Sequence, residues 1–167
     1  KRQLQHRGQE SAGITIYDNE HLTQKGMGLV AEVLNEFGEE FTRGVTGIGH
    51  VRYSTAGGSS VKNAQPMTVS SSTGELSIGH NGNVANQDSL RKEKENSGWG
   101  FMSDTDSEII VRMIANNLSK NHSIIKSIQL TMEELFGSYS IVILHNDELY
   151  AFRDPLGIKP LCLGEIE

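Results

Sequence analysis

Apolar and small or polar residues alternate over Ala12-Gly13-Ile14-Thr15-Ile16-Tyr17, a period of two that predicts a half-buried strand. Asp18-Asn19 supplies a turn, and a second strand from about Leu22 to Met27 completes a hairpin. Leu29, Val30, Val33, Leu34 and Phe37 then fall at helical spacing, with Gly38 as terminator. Val45 to Tyr53 reads as a buried strand running into a loop, Ser54 to Pro66, rich in Gly, Ser and Asn. Such connections commonly carry binding chemistry, and the same composition also fits a plain surface excursion.

Thr73-Gly74 marks a turn before a strand from Glu75 to His80, which Asn81-Gly82-Asn83 is expected to close abruptly. A charged helix follows over Gln87 to Glu95. A stronger one over Ser107 to Leu118 sets Ile109, Ile110, Met113, Ile114 and Leu118 along one face, with Asp104, Thr105 and Asp106 as its cap and first-turn anion. Ile124, Ile125, Ile128, Leu135 and Phe136 predict another helix, ended by Gly137. Ser138 to His145 and Glu148 to Arg153 predict a closing strand pair joined at Asn146-Asp147. Strands early, helices in the middle and paired strands late describe antiparallel sheets covered by helices, an α+β arrangement, rather than alternating βαβ units.

Composition narrows the function classes. Lys plus Arg number 15 against 21 Asp plus Glu, a net charge of −6, the wrong sign for a nucleic-acid partner. At 167 residues and 36% hydrophobic, one core and one domain are the expectation. No signal-type leader or apolar run of membrane-spanning length is visible, so the chain reads as cytoplasmic with no membrane partner. The single cysteine, Cys162, makes no internal disulfide, and Leu161-Cys162-Leu163 reads as an apolar strand with an inert core thiol.

Several tempting motifs fail. Gly26-x-Gly28-x-x-Ala31 matches a dinucleotide fingerprint, but it sits in a hairpin and not in a parallel βαβ unit. Asp104-Thr105-Asp106-Ser107-Glu108 resembles the start of a calcium loop, yet Ile109 stands where the turn needs glycine. The six histidines lack ligand spacing, so no metal is expected in this chain.

Three segments make chemical sense together: Gly49-His50-Val51-Arg52-Tyr53-Ser54-Thr55, Gly79-His80-Asn81-Gly82-Asn83 and Asp104-Thr105-Asp106-Ser107-Glu108. For a free amino acid, Arg52 could grip the α-carboxylate through its planar fork, while Asp106 accepts from the α-ammonium. Asn81 offers amide donors, and Gly82 lets a main-chain N–H come close to a developing oxyanion. Each piece alone also has a plainer explanation: a surface ion pair for Arg52, a hairpin turn for Asn81-Gly82, a helix cap for Asp106.

Beside Leu4-Gln5-His6-Arg7-Gly8-Gln9-Glu10-Ser11-Ala12-Gly13-Ile14, these segments acquire a common meaning. With Lys25-Gly26-Met27-Gly28-Leu29-Val30, Asn63-Ala64-Gln65-Pro66 and Arg153-Asp154-Pro155-Leu156-Gly157-Ile158-Lys159-Pro160-Leu161, they run in family order along almost the whole chain. The sequence resembles the glutaminase domain, a class II glutamine amidotransferase, of the amidophosphoribosyltransferase family. Arg52-Tyr53-Ser54-Thr55 and Asp154-Pro155-Leu156-Gly157 favour that phosphoribosyl branch. The sugar-phosphate branch, typified by glucosamine-6-phosphate synthase, usually has tryptophan after the arginine and stands as the alternative.

The resemblance implies an N-terminal-nucleophile hydrolase fold, two antiparallel sheets stacked face to face between helical layers, spanning 1–167 as one domain. It implies that Arg52 and Thr55 hold the glutamine carboxylate and Asp106 its ammonium. Asn81 and the Gly82 N–H would stabilise the oxyanion, Tyr53 and Gln65 are further pocket residues, and Arg7 supports the surroundings of the nucleophile. His80 is expected to be structural, because the family draws its base from the terminal amine. The family nucleophile is an N-terminal cysteine upstream of Leu4-Gln5-His6-Arg7, a position that precedes the sequence given and that Cys162 does not replace. Lys159 stands where related chains often have arginine. The expected reaction is hydrolysis of glutamine to glutamate, with ammonia passed to a phosphoribosyltransferase domain in cis that makes 5-phosphoribosylamine from phosphoribosyl pyrophosphate in purine synthesis. That domain would bring magnesium, the intact enzyme would be a homo-oligomer, and no cysteine cluster for an iron–sulfur group lies in this chain. A non-catalytic relative serving as a binding module is the reading from another class.

Overall fold

Asn19 adopts a left-handed φ of 62°, a conformation asparagine tolerates, and so turns β1 (Ser11–Asp18) directly into β2 (Glu20–Met27). The hairpin predicted from alternation is in register from Ser11 opposite Met27 to Asp18 opposite Glu20. The computed structural model describes residues 2–35, 38–53 and 58–165. β3 (Thr46–Arg52) lies antiparallel on the other side of β1, with Arg52 opposite Ser11, which gives a three-stranded sheet of order β2-β1-β3. β4 (Met67–Ser71), β5 (Gly74–Val84), β6 (Gly137–His145) and β7 (Glu148–Arg153) form a four-stranded antiparallel sheet in chain order.

Helices close both outer faces. The single turn α1 (Val30–Val33) covers β1 and β2, and α3 (Asp106–Ser119) crosses β4 and β5 with α4 (Ile124–Glu134) and α2 (Gln87–Asn96) beside it. β3 approaches β5 and β6 across the middle, so the layers are helix, sheet, sheet, helix, as the resemblance implied. The main core lies between the four-stranded sheet and α3. There Leu76, Ile78, Ile141 and Ile143 meet the stripe of Ile110, Met113 and Ile114, all almost fully buried. Each such side chain contributes about 1.5–3 kcal/mol.

The layer between the two sheets is polar where β2 faces β4 and β5. Thr15 Oγ1 lies 2.8 Å from Thr23 Oγ1, which lies 3.2 Å from Thr68 Oγ1. Thr68 continues to Ser77 Oγ at 2.7 Å, and Ser77 to His21 Nδ1 at 2.7 Å. Period two produces this directly: Ala12, Ile14 and Ile16 are oriented to one face of β1 and Thr15 to the other.

Four expectations are corrected. β5 does not stop at Asn81-Gly82-Asn83 but continues to Val84, because β6 pairs with it through Gly82 opposite Tyr139 and Val84 opposite Gly137. A Cβ on residue 82 would sit 2.2 Å from the Ser138 carbonyl oxygen, so the glycine serves close strand approach, not a turn. β3 is a sheet edge and not a buried strand: only Ile48 and Arg52 are buried in it, and Val45 is 94% exposed. The first helix ends at Val33, and Phe37 lies outside the described residues. Leu161-Cys162-Leu163 is neither strand nor core, since the chain leaves the sheet after Arg153 and exposes all three residues. Among the described residues no helix is long and apolar enough to cross a membrane.

Asp154 fixes that departure. Its buried carboxylate accepts from Tyr139 N at 3.2 Å, Ile158 N at 2.9 Å and Lys159 N at 3.1 Å. Burial pushes this carboxyl up, and the N–H groups of Ile158, Lys159, Tyr139 and Gly157 more than reverse it, so it is held below its ordinary value. With the folded-state value depressed, the stabilisation is complete above the ordinary carboxylate range and is lost as pH falls through the folded value. Asp154→Asn is therefore expected to lower the melting temperature at neutral pH and to flatten its fall between about pH 5 and pH 2, followed by thermal circular dichroism. An acid limb identical to that of the unsubstituted chain would contradict this assignment.

Candidate active site

The end of β3, the far half of β5 and the start of α3 converge at one mouth of the sandwich. A cavity of about 490 Å³ opens there, lined by Arg7, Arg52, Tyr53, Gln65, Asn81, Gly82 and Asp106 among others. Three segments far apart in sequence are thus brought to one place. Of the residues expected from sequence, Thr55 lies outside the described residues.

Arg52 ends β3 and is 7% exposed, so it is no surface ion pair. Its Nη1 lies 2.8 Å from Glu10 Oε1, and its main-chain oxygen accepts from Glu10 N at 3.1 Å. The sequence reading missed Glu10. The usable signal was tertiary: Glu10 precedes β1, and the β1–β3 register sets Ser11 opposite Arg52. Glu10 Oε2 is buried with no hydrogen-bond partner among the described residues.

Asp106 opens α3, after Thr105 at the N-cap position. Its carboxylate does more than cap: Oδ2 accepts from Val84 N at 3.0 Å, and Oδ1 lies 3.3 Å from His80 Nδ1. Burial drives this carboxyl up, but the His80 contact and the Val84 and Ser107 N–H groups outweigh it, so its value falls below the ordinary carboxylate. The anion is therefore maintained inside the cavity wall.

The geometry of β5 explains Asn81 and Gly82. β4 pairs with β5 only as far as Met67 opposite Ile78, so the following residues lack a strand on that edge. Gln65 fills part of the gap, accepting from His80 N at 2.6 Å and donating from Nε2 to His80 O at 3.3 Å. Asp106 takes the Val84 N–H on the same edge. By period-two alternation the Gly82 N–H points to this edge as well, between those two, and Gly82 lines the cavity. Asn81, one residue earlier, exposes its amide to the same space.

Gln65, expected as a pocket contact, does line the cavity, but its amide is committed to His80 and to Ser107 Oγ at 3.1 Å. Tyr53 is 72% exposed at the rim. Arg7 ends a helical turn over Arg2–Arg7 and is exposed to the cavity. The next residue explains its placement: a Cβ on Gly8 would lie 2.6 Å from the Val51 carbonyl carbon, so the chain presses against β3 there. Asn83, Lys159 and Cys162 also line the cavity and were missed. The last two arrive only through the Asp154 turn, which no local pattern reveals. Among the described residues no three His, Cys, Asp or Glu side chains gather to hold a metal ion.

A buried guanidinium, a half-buried carboxylate, an exposed amide and a cavity-lining main-chain N–H suit a zwitterionic amino acid with a polar carbonyl in its side chain.

Comparisons with known proteins point the same way. The family described as Glutamine amidotransferase domain matches residues 50–167. An amidophosphoribosyltransferase of Archaeoglobus fulgidus is 47% identical over 164 residues, 98% of this chain and 36% of that protein. One of Methanocaldococcus jannaschii is 47% identical over 165 residues, 98% of this chain and 35% of the relative. The chain thus spans about a third of the length of these curated relatives. A solved glutamine phosphoribosylpyrophosphate amidotransferase from B. subtilis, complexed with ADP and GMP, superposes with a TM-score of 0.83 at 35% identity, covering 94% of this chain and 34% of that one.

Removing one partner of a buried ion pair takes a charge-assisted hydrogen bond from a group that stays desolvated. Glu10→Ala is therefore expected to destabilise the domain by about 3 kcal/mol in urea unfolding, and Glu10→Gln, which keeps an acceptor for Arg52 Nη1, by clearly less. Equal losses in the two variants would show that the contact does not orient Arg52.

Proposed function

The chain belongs to the glutamine amidotransferase domain family, and from that premise we propose that it is the glutaminase half of an amidophosphoribosyltransferase. In this reading it hydrolyses glutamine to glutamate, and the ammonia is used to make 5-phosphoribosylamine from phosphoribosyl pyrophosphate in purine synthesis. The observation that carries it is the gathering of Arg52, Asn81, Gly82 and Asp106 in one cavity.

Arg52, oriented by Glu10, meets the α-carboxylate of glutamine, to which Thr55 is assigned as a further contact by family resemblance alone, and Asp106 accepts from the α-ammonium. The attacking thiolate is supplied by a cysteine ahead of the Leu4-Gln5-His6-Arg7 segment, with Arg7 supporting its surroundings. Its attack on the side-chain carbonyl places negative charge on oxygen, which Asn81 and the Gly82 N–H receive. The cysteine's own α-amine takes the thiol proton and returns it to the leaving nitrogen, so collapse of the adduct expels ammonia, and water then releases glutamate from the thioester. The phosphoribosyltransferase part belongs to the same polypeptide and brings magnesium, and the intact enzyme is a cytoplasmic homo-oligomer.

In the full-length enzyme, Arg52→Ala is expected to raise KM for glutamine strongly while ammonia-dependent synthesis survives, since ammonia bypasses this pocket. Survival of that activity also reports an intact fold, and Arg52→Lys, which keeps the charge but not the fork, should fall between. Unchanged glutamine kinetics in Arg52→Ala would contradict the assignment. Asn81→Ala is expected to lower glutamine-dependent kcat by about 10²–10³-fold with a modest change in KM. A variant that keeps its kcat would reduce Asn81 to a shaping role, and steady-state kinetics of glutamate release decides between the two.

A further inference from the structure

We propose that His80 is the positioning residue of this site: held as its Nδ1–H tautomer, it ties the Asp106 carboxylate to the strand that carries the oxyanion donor. The inference rests on the functional reading above. The His80 side chain is 2% exposed, and its Nδ1 lies 3.3 Å from Asp106 Oδ1 and 3.1 Å from Ser107 Oγ. A bare Nδ1 lone pair facing the ionised Asp106 oxygen at 3.3 Å would be repelled, whereas an N–H there is attracted, so the charge favours the proton on Nδ1. Ser107 Oγ already accepts from Gln65 Nε2 at 3.1 Å and retains a second lone pair toward the ring. Nε2, at the other end of the ring, is buried with no partner among the described residues. An orphaned N–H there would be the costlier choice, while a bare lone pair is tolerated. Both ends of the imidazole thus select one tautomer.

The ring has little freedom to drift. Its own main chain is held at N–H and C=O by Gln65, and His50 Nε2 lies 2.9 Å from the same carbonyl oxygen. Gly82 leaves the room the ring occupies, because a Cβ there would lie 2.9 Å from His80 Nε2. Asp106 is consequently fastened to β5 at two points, by Oδ1 to the His80 ring and by Oδ2 to Val84 N. These points bracket Gly82. The spacing between the ammonium acceptor and the oxyanion donor is therefore set by one rigid strand, although Asp106 itself belongs to a helix.

The test compares two variants of the full-length enzyme. His80→Asn places an amide nitrogen close to the position of Nδ1 and keeps the donor to Asp106, whereas His80→Leu fills similar space without it. His80→Leu is expected to raise KM for glutamine about tenfold or more, with glutamine-dependent kcat and the ammonia-dependent rate little changed. His80→Asn should restore KM to within about threefold of the unsubstituted enzyme. A role in folding alone would lower both activities together and would show no such rescue. An unchanged KM in His80→Leu, or a His80→Asn variant as impaired as His80→Leu, would overturn the proposal. A readout independent of activity is the ¹⁵N spectrum of the unsubstituted protein, where His80 Nδ1 should be protonated and Nε2 bare, and the opposite tautomer overturns the proposal even if both variants misfold. Glutamine-dependent activity absent from the unsubstituted enzyme would instead overturn the functional reading and the positioning role with it.

Discussion

Beyond Ile78, strand β5 has lost its β4 neighbour but continues to Val84, so the main-chain groups on that edge must find partners other than a strand. An unsatisfied buried N–H or C=O costs about as much as a lost hydrogen bond, and the chain answers residue by residue. Gln65 imitates a strand with its side-chain amide, taking both groups of His80, and Asp106 reaches from α3 to the Val84 N–H. Between them Gly82 lines the cavity. The same constraint that demands polar side chains around this edge leaves one donor available to a substrate.

The other wall depends on a different balance. Bringing Arg52 and Glu10 together with side-chain exposures of 8% and 13% forfeits hydration, so the 2.8 Å pair is weak evidence for stability. Its value lies in orientation, because a planar guanidinium that is hydrogen-bonded to a fixed carboxylate has its plane set. Glu10 does this from the start of β1, one residue before the pairing of Ser11 with Arg52. Sheet register therefore aims the cation.

Hydrophobic patterning made most elements legible. The α3 stripe and the β1–β2 hairpin carry their periods in the sequence and nearly coincide with the elements formed. Asn81-Gly82 did not behave as its dipeptide suggests, because turn propensity is local and a strand paired along its whole length outweighs it. Glu10, His50 and Ser107 were invisible for a related reason: each acts through a partner distant in sequence, and isolated polar residues carry no period. Cys162 misled in the opposite direction, since apolar neighbours on either side imply burial only where a strand partner exists to provide it. That Arg52, Asn81 and Asp106 line one cavity was anticipated because their charge and donor type mark them as candidates in the sequence itself. What each of them leans on was not.

That asymmetry bears on how such a site tolerates change. The residues that line the cavity are held by groups packed behind it, several of them main-chain atoms. A Cβ on Gly82 would meet the Ser138 oxygen at 2.2 Å and the Tyr139 Cα at 2.6 Å, backbone atoms that cannot step aside as a flexible side chain would. Arg52 and Asp106 are likewise fixed by groups whose own positions follow from sheet register. In the proposed reading, the spacing between the charged end of glutamine and its reacting carbonyl is matched by a strand, and a strand does not stretch to suit a shorter substrate. An amide with one methylene fewer would then have to forgo either the oxyanion donors or the ion pairs, a loss that exceeds the 1–3 kcal/mol a missing methylene usually costs in an apolar pocket. In that reading, selectivity for chain length would follow from the spacing along β5 between the Gly82 N–H and the points where Asp106 is held.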